Sequence, residues 1–262
     1  TITFEHPEIE SLERDGIVAI QRTKLKKLAE RLQGSPDWVT RFKAAGMEPR
    51  DLGDFDNLHA MPTLEKTDLR ALYPYPMLTV DISQVRRFVA TSGTTGLPVM
   101  FGLTERDLNH LIPYQMCRVL RASGIVPGDK VYQGYGYGLW IGGLAMDIGL
   151  AAYGAVNFPI GPGRSDLMLK WLGDHEFTAC SLSPLWLMTL INQAKAQGID
   201  PRTAWKLRVG VFDNRSRPPS ATSWKRKCLP ASRRRTFTAP PRPAARWSAF
   251  PAPTRTTATR CT

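Results

Sequence analysis

No apolar run in this chain approaches the roughly 18 residues that a membrane span needs. The opening Thr1-Ile2-Thr3-Phe4-Glu5-His6 has neither the basic segment nor the apolar stretch of a secretory signal. Cysteine is scarce and scattered. Cys117, Cys180, Cys228 and Cys261 form no C-x-x-C pair and no metal-ligand spacing, which argues against a disulfide scaffold or zinc module and favours a reducing cytoplasm. Histidine is equally sparse. His6, His59 and His110 have no evident partner, and Asp174-His175-Glu176 reads as a solvated turn, so neither a Ser-His-Asp arrangement nor a metal site is expected. There is no repeat of solenoid length, and a first residue other than methionine suggests a clipped sequence.

Acidic residues are almost missing from the end of the chain. Between Asp213 and Thr262 stand 12 Lys+Arg and one acid, so this tail holds +11 of the formal net charge of +12. It also holds 8 of the 21 prolines and shows no helix or strand period, so disorder is expected for 213–262. Lys225-Arg226-Lys227 and Arg233-Arg234-Arg235 could serve a polyanion or a partner protein. Residues 1–212 have globular composition and are expected to form a single domain.

What is present in abundance is a cluster of hydroxyls and glycines, Thr91-Ser92-Gly93-Thr94-Thr95-Gly96, followed by Leu97-Pro98. Glycine allows close backbone approach to a ligand, and successive N–H and hydroxyl groups can converge on phosphate oxygens. Val85–Ala90 before it and Val99-Met100-Phe101 after it read as strands. A P-loop requires a lysine after its last glycine and a helix behind it. Neither follows here, so the loop is a different phosphate cradle or a plain polar turn.

Downstream, the elements alternate. Leu25, Leu28 and Leu32 share one face of a helix over about Ile9–Leu32, and a shorter one resumes at Trp38 and stops at Gly46. Thr63 or Thr67 is the expected cap of the next helical turn. A long helix is expected from Thr104 to about Ser123, then strand Lys130–Gln133, helix Ile141–Tyr153 and strand Ala155–Pro159. Helix Asp166–Asp174, strand Phe177–Ser181, helix Pro184–Gln197 with Ser183 as N-cap, and strand Leu207–Phe212 complete the series. Such alternation predicts an α/β fold with largely parallel sheets flanked by helices. Tyr135, Tyr137 and Trp140 are either core aromatics or the wall of a ligand pocket.

Several segments together resemble the phenylacetate–CoA ligase family of adenylate-forming enzymes. They are the Thr91–Gly96 loop, the Tyr135-Gly136-Tyr137-Gly138-Leu139-Trp140 segment with Gly142-Gly143, the Asp200-Pro201-Arg202 run leading to Leu207–Phe212, and Met61-Pro62-Thr63 with Lys66–Arg70. The likeness runs from about Phe4 to Phe212. It implies a truncated N-terminal adenylate-forming domain over 1–212, in which Thr91, Ser92, Gly93, Thr94, Thr95 and Gly96 hold the phosphates of ATP. Tyr135, Tyr137, Gly138 and Trp140 would line an aryl pocket. It further implies ATP, Mg²⁺ and CoA as cofactors and an aryl carboxylic acid as substrate, in aromatic acid catabolism. A second copy of the chain is a candidate partner, and neither nucleic acid nor membrane is expected.

The family's aromatic-Gly-x-Thr-Glu motif, whose glutamate helps hold Mg²⁺, is absent from the sequence. Reading the degenerate codons of residues 235–242 from the third base of the Arg235 codon, however, allows Asp-Ile-Tyr-Gly-Thr-Thr-Glu. The tail is therefore either a basic arm or residues translated out of frame. On the second reading the chain has no complete catalytic set and is inactive. On the first it is a non-catalytic nucleotide-binding protein whose arm engages nucleic acid or another polyanion.

Overall fold

The leucine-bearing face anticipated near the N-terminus belongs to α2 (Arg14–Gln33), which follows the short α1 (Pro7–Glu10) and buries Ala29 and Leu32. The computed structural model describes residues 5–75, 77–91, 97–163, 165–213 and 256–260. Its contacts gather into two units, one over His6–Asn109 and one from His110 onward together with the N-terminal residues through Glu5. Expectations for the rest of the tail, its disorder and its reading frame, fall outside the described residues.

In the first unit, α3 (Pro36–Ala44) starts on a proline at its first turn, where no intrahelical N–H is needed, and the chain leaves it at Gly46 with φ +71°. Neither Thr63 nor Thr67 caps α4 (Lys66–Ala71). Glu65 is the N-cap, and its N–H donates to the Asp68 carboxylate at 2.8 Å, which holds that carboxyl below its ordinary value. The Thr63 carbonyl is occupied by the Arg41 guanidinium, and Thr67 already lies inside the helix. Strands β1 (Val85–Ala90) and β2 (Met100–Thr104) pair antiparallel, with Ala90 opposite Met100.

The helix expected from Thr104 is not uniform. The Asp107 carboxylate accepts from both the N–H and the hydroxyl of Thr104 at 2.8 Å, a π turn spans Asp107–Leu111, and α5 runs from Ile112 to Ser123. Pro113 has no N–H to give to the carbonyl one turn earlier, so the ladder widens where it loses that donor. Gly124, at φ +85°, ends α5.

The second unit is a three-layer sandwich. β3 (Lys130–Gln133), α6 (Ile141–Tyr153), β4 (Val156–Pro159), α7 (Ser165–Asp174), β5 (Ala179–Ser181), α8 (Pro184–Ala196), α9 (Pro201–Ala204), β6 (Val209–Asp213) and β7 (Thr256–Arg260) follow in order. The sheet runs β4-β3-β5-β6-β7, its first four strands parallel and β7 antiparallel to β6. β7 therefore covers the edge that would lie open after Phe212.

Strand order dictates the layers. The step from β3 to β4 goes one way across the sheet, and the steps from β4 to β5 and from β5 to β6 go the other way. Right-handed crossovers must then place α6 on one face and α7 and α8 on the other. The buried clusters follow that division. Leu120 and Leu150 of α5 and α6 pack on Val131, Val209 and Val211. Leu172 and Leu190 of α7 and α8 pack with Tyr132, Phe177 and Phe212 on the opposite face.

At the N-terminal ends of the strands an ionic cluster ties three segments together. Asp129, whose side chain is 6% exposed, pairs with Arg208 and accepts from the Thr178 hydroxyl at 2.8 Å and the Val126 N–H at 2.7 Å. Arg208 also donates to the Gly124 carbonyl at 2.8 Å. Removing one member of a buried pair leaves the other uncompensated, so Asp129→Ala should lower the unfolding free energy by about 3 kcal/mol. Thr178→Ala, which removes one neutral donor, should cost about 1 kcal/mol. Urea titration of both variants checks the ranking, and equal losses would contradict it.

Candidate functional site

In parallel sheets, ligands sit beyond the C-terminal strand ends, at the point where successive connections leave in opposite directions. Here that point lies between β3 and β5, because β3 departs through α6 toward β4 and β5 departs through α8 toward β6. The two diverging connections leave an open cleft of about 430 Å³. Its walls are Gly134, Tyr135 and Gly136 after β3, Pro162 after β4, and Ser183, Leu185, Trp186 and Thr189 at the start of α8.

Glycines let these segments approach so closely. A Cβ on Gly134 would lie 2.9 Å from Leu182 Cβ and 3.3 Å from the Tyr132 hydroxyl. A Cβ on Gly143 would come within 2.1 Å of the Gly136 carbonyl oxygen, and one on Gly142 within 2.1 Å of the Trp140 ring. The Gly142-Gly143 pair thus seats the tyrosine-rich loop directly on the first turn of α6. Gln133, fully buried, stitches the same junction: Nε2 donates to the Gly143 carbonyl at 3.2 Å and Oε1 accepts the Tyr135 N–H at 2.5 Å.

The residues anticipated as an aryl pocket take different stations. Tyr135 lines the cleft, with its hydroxyl donated to the Leu182 carbonyl at 3.1 Å, and Trp140 meets its ring edge-on at 5.1 Å. Tyr137 turns its hydroxyl to Asp147 Oδ1 at 3.1 Å, an oxygen that also accepts from Asn157 at 2.5 Å. Burial raises the Tyr137 phenol above its ordinary value. Gly138 is exposed, and a Cβ there would meet nothing within 4 Å. Of these four, Tyr135 alone is a cleft wall.

Of the phosphate-loop residues, Ser92, Gly93, Thr94, Thr95 and Gly96 lie outside the described residues. The ends that carry them are pinned. The Thr91 N–H donates to the Val99 carbonyl, the Val99 N–H donates back to Thr91 Oγ1, both at 3.0 Å, and Arg70 Nε donates to the Leu97 carbonyl at 2.8 Å.

Sequence reasoning missed the α8 side of the cleft. Ser183 was expected only as an N-cap, a role it fills by accepting the Trp186 N–H at 3.2 Å. Trp186, Leu185 and Thr189 gave no local signal beyond that of an ordinary helix. Trp186 is anchored by donation of Nε1 to the Tyr132 hydroxyl at 3.0 Å, which in turn donates to Met168 Sδ at 2.9 Å. Among the described residues, no three His, Cys, Asp or Glu side chains converge as a metal site, and no helix is long and apolar enough to cross a membrane.

Burial pushes the Tyr132 phenol up to about 12, against about 10 in an unfolded chain. Its retained proton contributes stability that is fully present below pH 10 and is lost as pH rises toward 12. Urea midpoints between pH 9 and 11.5 should therefore fall more steeply for the wild type than for Tyr132→Phe. For the glycine junction, Gly143→Ala should cost about 1–3 kcal/mol by forcing the Tyr135-Gly136 loop off α6. An alanine variant as stable as the wild type would show that the junction yields freely.

No family model matches the chain. Among solved structures, a 2-hydroxyisobutyryl-CoA ligase in complex with 2-HIB-AMP and CoA superposes with a TM-score of 0.70 at 25% identity, over 77% of this chain and 44% of that one. The fold thus belongs to the class of adenylate-forming CoA ligases.

Among curated proteins, the phenylacetate-coenzyme A ligase of Pseudomonas putida is 34% identical over 208 residues, 78% of this chain and 47% of that protein. The enzyme of the same name from Escherichia coli K12 is 34% identical over 205 residues, with the same coverage. The matched part of the chain belongs to the phenylacetate–CoA ligase family, and the chain spans about half the length of these relatives.

Proposed function

We propose that this chain holds an aryl carboxylic acid of the phenylacetate kind in the switch-point cleft, as the acid- and nucleotide-handling part of a ligase that joins the acid to CoA using ATP. The observation that carries this reading is the aromatic, glycine-floored cleft at the carboxyl ends of β3 and β5, in a chain one-third identical to phenylacetate–CoA ligases.

In the reaction proposed, a carboxylate oxygen of the acid attacks the α-phosphate of ATP and pyrophosphate leaves. The CoA thiolate then attacks the acyl carbon and AMP departs, giving the thioester. Tyr135 supplies a wall for the aryl group, with Trp140 packed on its edge. Tyr137 and Gly138 continue the loop beside it, the former fixed through Asp147. Thr91 to Gly96 are assigned to the phosphates, where fixed N–H and O–H dipoles would face the charge that builds on departing pyrophosphate. The described residues offer no carboxylate cluster for Mg²⁺. The compartment assigned is the cytoplasm, with small molecules rather than nucleic acid or membrane as partners and a second copy of the chain as a candidate.

Binding and turnover are expected to separate. The aromatic-Gly-x-Thr-Glu motif is missing from the sequence, so the developing charge goes uncompensated and the 262-residue chain does not complete the adenylation. Calorimetry should detect phenylacetate binding to the purified chain, while ATP–pyrophosphate exchange with phenylacetate and Mg²⁺ stays at background. Exchange above background would overturn the inactivity, and absence of any aryl-acid binding would overturn the assignment of the cleft.

A further inference from the structure

Resting on that reading of the cleft, we propose that Trp186 is a ligand-facing wall for a planar aromatic group and that the buried hydroxyl of Tyr132 is the positioning group that fixes its indole. Tyr132 is 1% exposed and is not itself a wall of the cleft. Its hydroxyl nevertheless lies beneath two residues that are: it accepts Trp186 Nε1–H at 3.0 Å, and it stands 3.3 Å from the place a Cβ on Gly134 would occupy.

A phenylalanine at 132 would fill the same core volume, and among the described residues the hydroxyl's other hydrogen-bond partner is the Met168 thioether, a weak acceptor at 2.9 Å. Burying a hydroxyl is costly unless its hydrogen bonds are made. The bond that offsets that cost is the one to Trp186. Without it the half-buried indole N–H is better satisfied by turning toward water, which would swing the ring across the cleft.

The arrangement also sets the chemistry presented to a ligand. Trp186 gives its N–H to Tyr132 and Tyr135 gives its hydroxyl to the Leu182 carbonyl. Both aromatic walls therefore direct their polar atoms into the protein and offer ring carbon to the cleft, together with Pro162 and Leu185. Such walls favour a flat π-face over a puckered aliphatic ring of equal size.

The test is a double-mutant cycle on the purified chain with Tyr132→Phe, Trp186→Phe and both together, measuring affinity for phenylacetate and for cyclohexylacetate. The wild type is expected to prefer phenylacetate. Tyr132→Phe should weaken phenylacetate roughly three- to tenfold, the equivalent of one hydrogen bond, with little change for cyclohexylacetate. Adding it to Trp186→Phe should weaken nothing further.

Equal loss for both acids, or an additional loss in the Trp186→Phe background, overturns the positioning role while leaving the acid site standing. A wild type that binds neither acid overturns the acid site itself. Independently of any variant's folding, the Trp186 indole N–H should exchange slowly with solvent in nuclear magnetic resonance spectra of the wild-type chain, and fast exchange would remove the basis of the proposal.

Discussion

The reversal of direction at β3 is the constraint from which the rest of the second unit follows. Right-handed crossovers allow only one face for the connection to β4 and only the other for those to β5 and β6. The segments that leave β3 and β5 must therefore part company at their carboxyl ends, and neither helix can fill the space between them. The cleft is a consequence of chain chirality before any side chain is considered.

Side chains then decide what kind of cleft it is. Leaving out a Cβ at Gly134, Gly142 and Gly143 brings backbone against backbone and ring against backbone at distances no other residue permits. The conformational entropy those glycines cost is offset by rigid seating of the loop on α6. At the other end of the strands, Asp129, Arg208 and Thr178 hold the segments entering β3, β5 and β6 in one ionic cluster. The sheet is clamped at its amino ends and left open at its carboxyl ends, where chemistry can be accommodated.

Much of this was legible in the residues. Ser183-Pro184 opening α8, the positive-φ Gly124 and Gly198 closing helices, and the β-branched and aromatic Val131-Tyr132 pair of β3 each carry a local physical instruction, and each element formed where that instruction stood. Misreadings arose where two local signals competed. Thr63 and Thr67 looked like caps, yet the reciprocal pairing of Glu65 with Asp68 satisfies the helix start better, since a carboxylate accepts more strongly than a hydroxyl. The helix after Thr104 looked continuous because periodicity does not register that Pro113 withholds a donor.

The amino-acid sequence by itself determined the alternation of strands and helices, the ends of most helices, and the tyrosine- and glycine-rich loop after β3, because capping, chirality and backbone freedom act over a few residues. Tertiary structure alone decided that β5 would pair with β3, and so that Trp186 and Ser183 would face Tyr135 while Tyr137 turned away to Asp147. Pairing between strands so far apart along the chain depends on which faces can be buried together, and no local period encodes that.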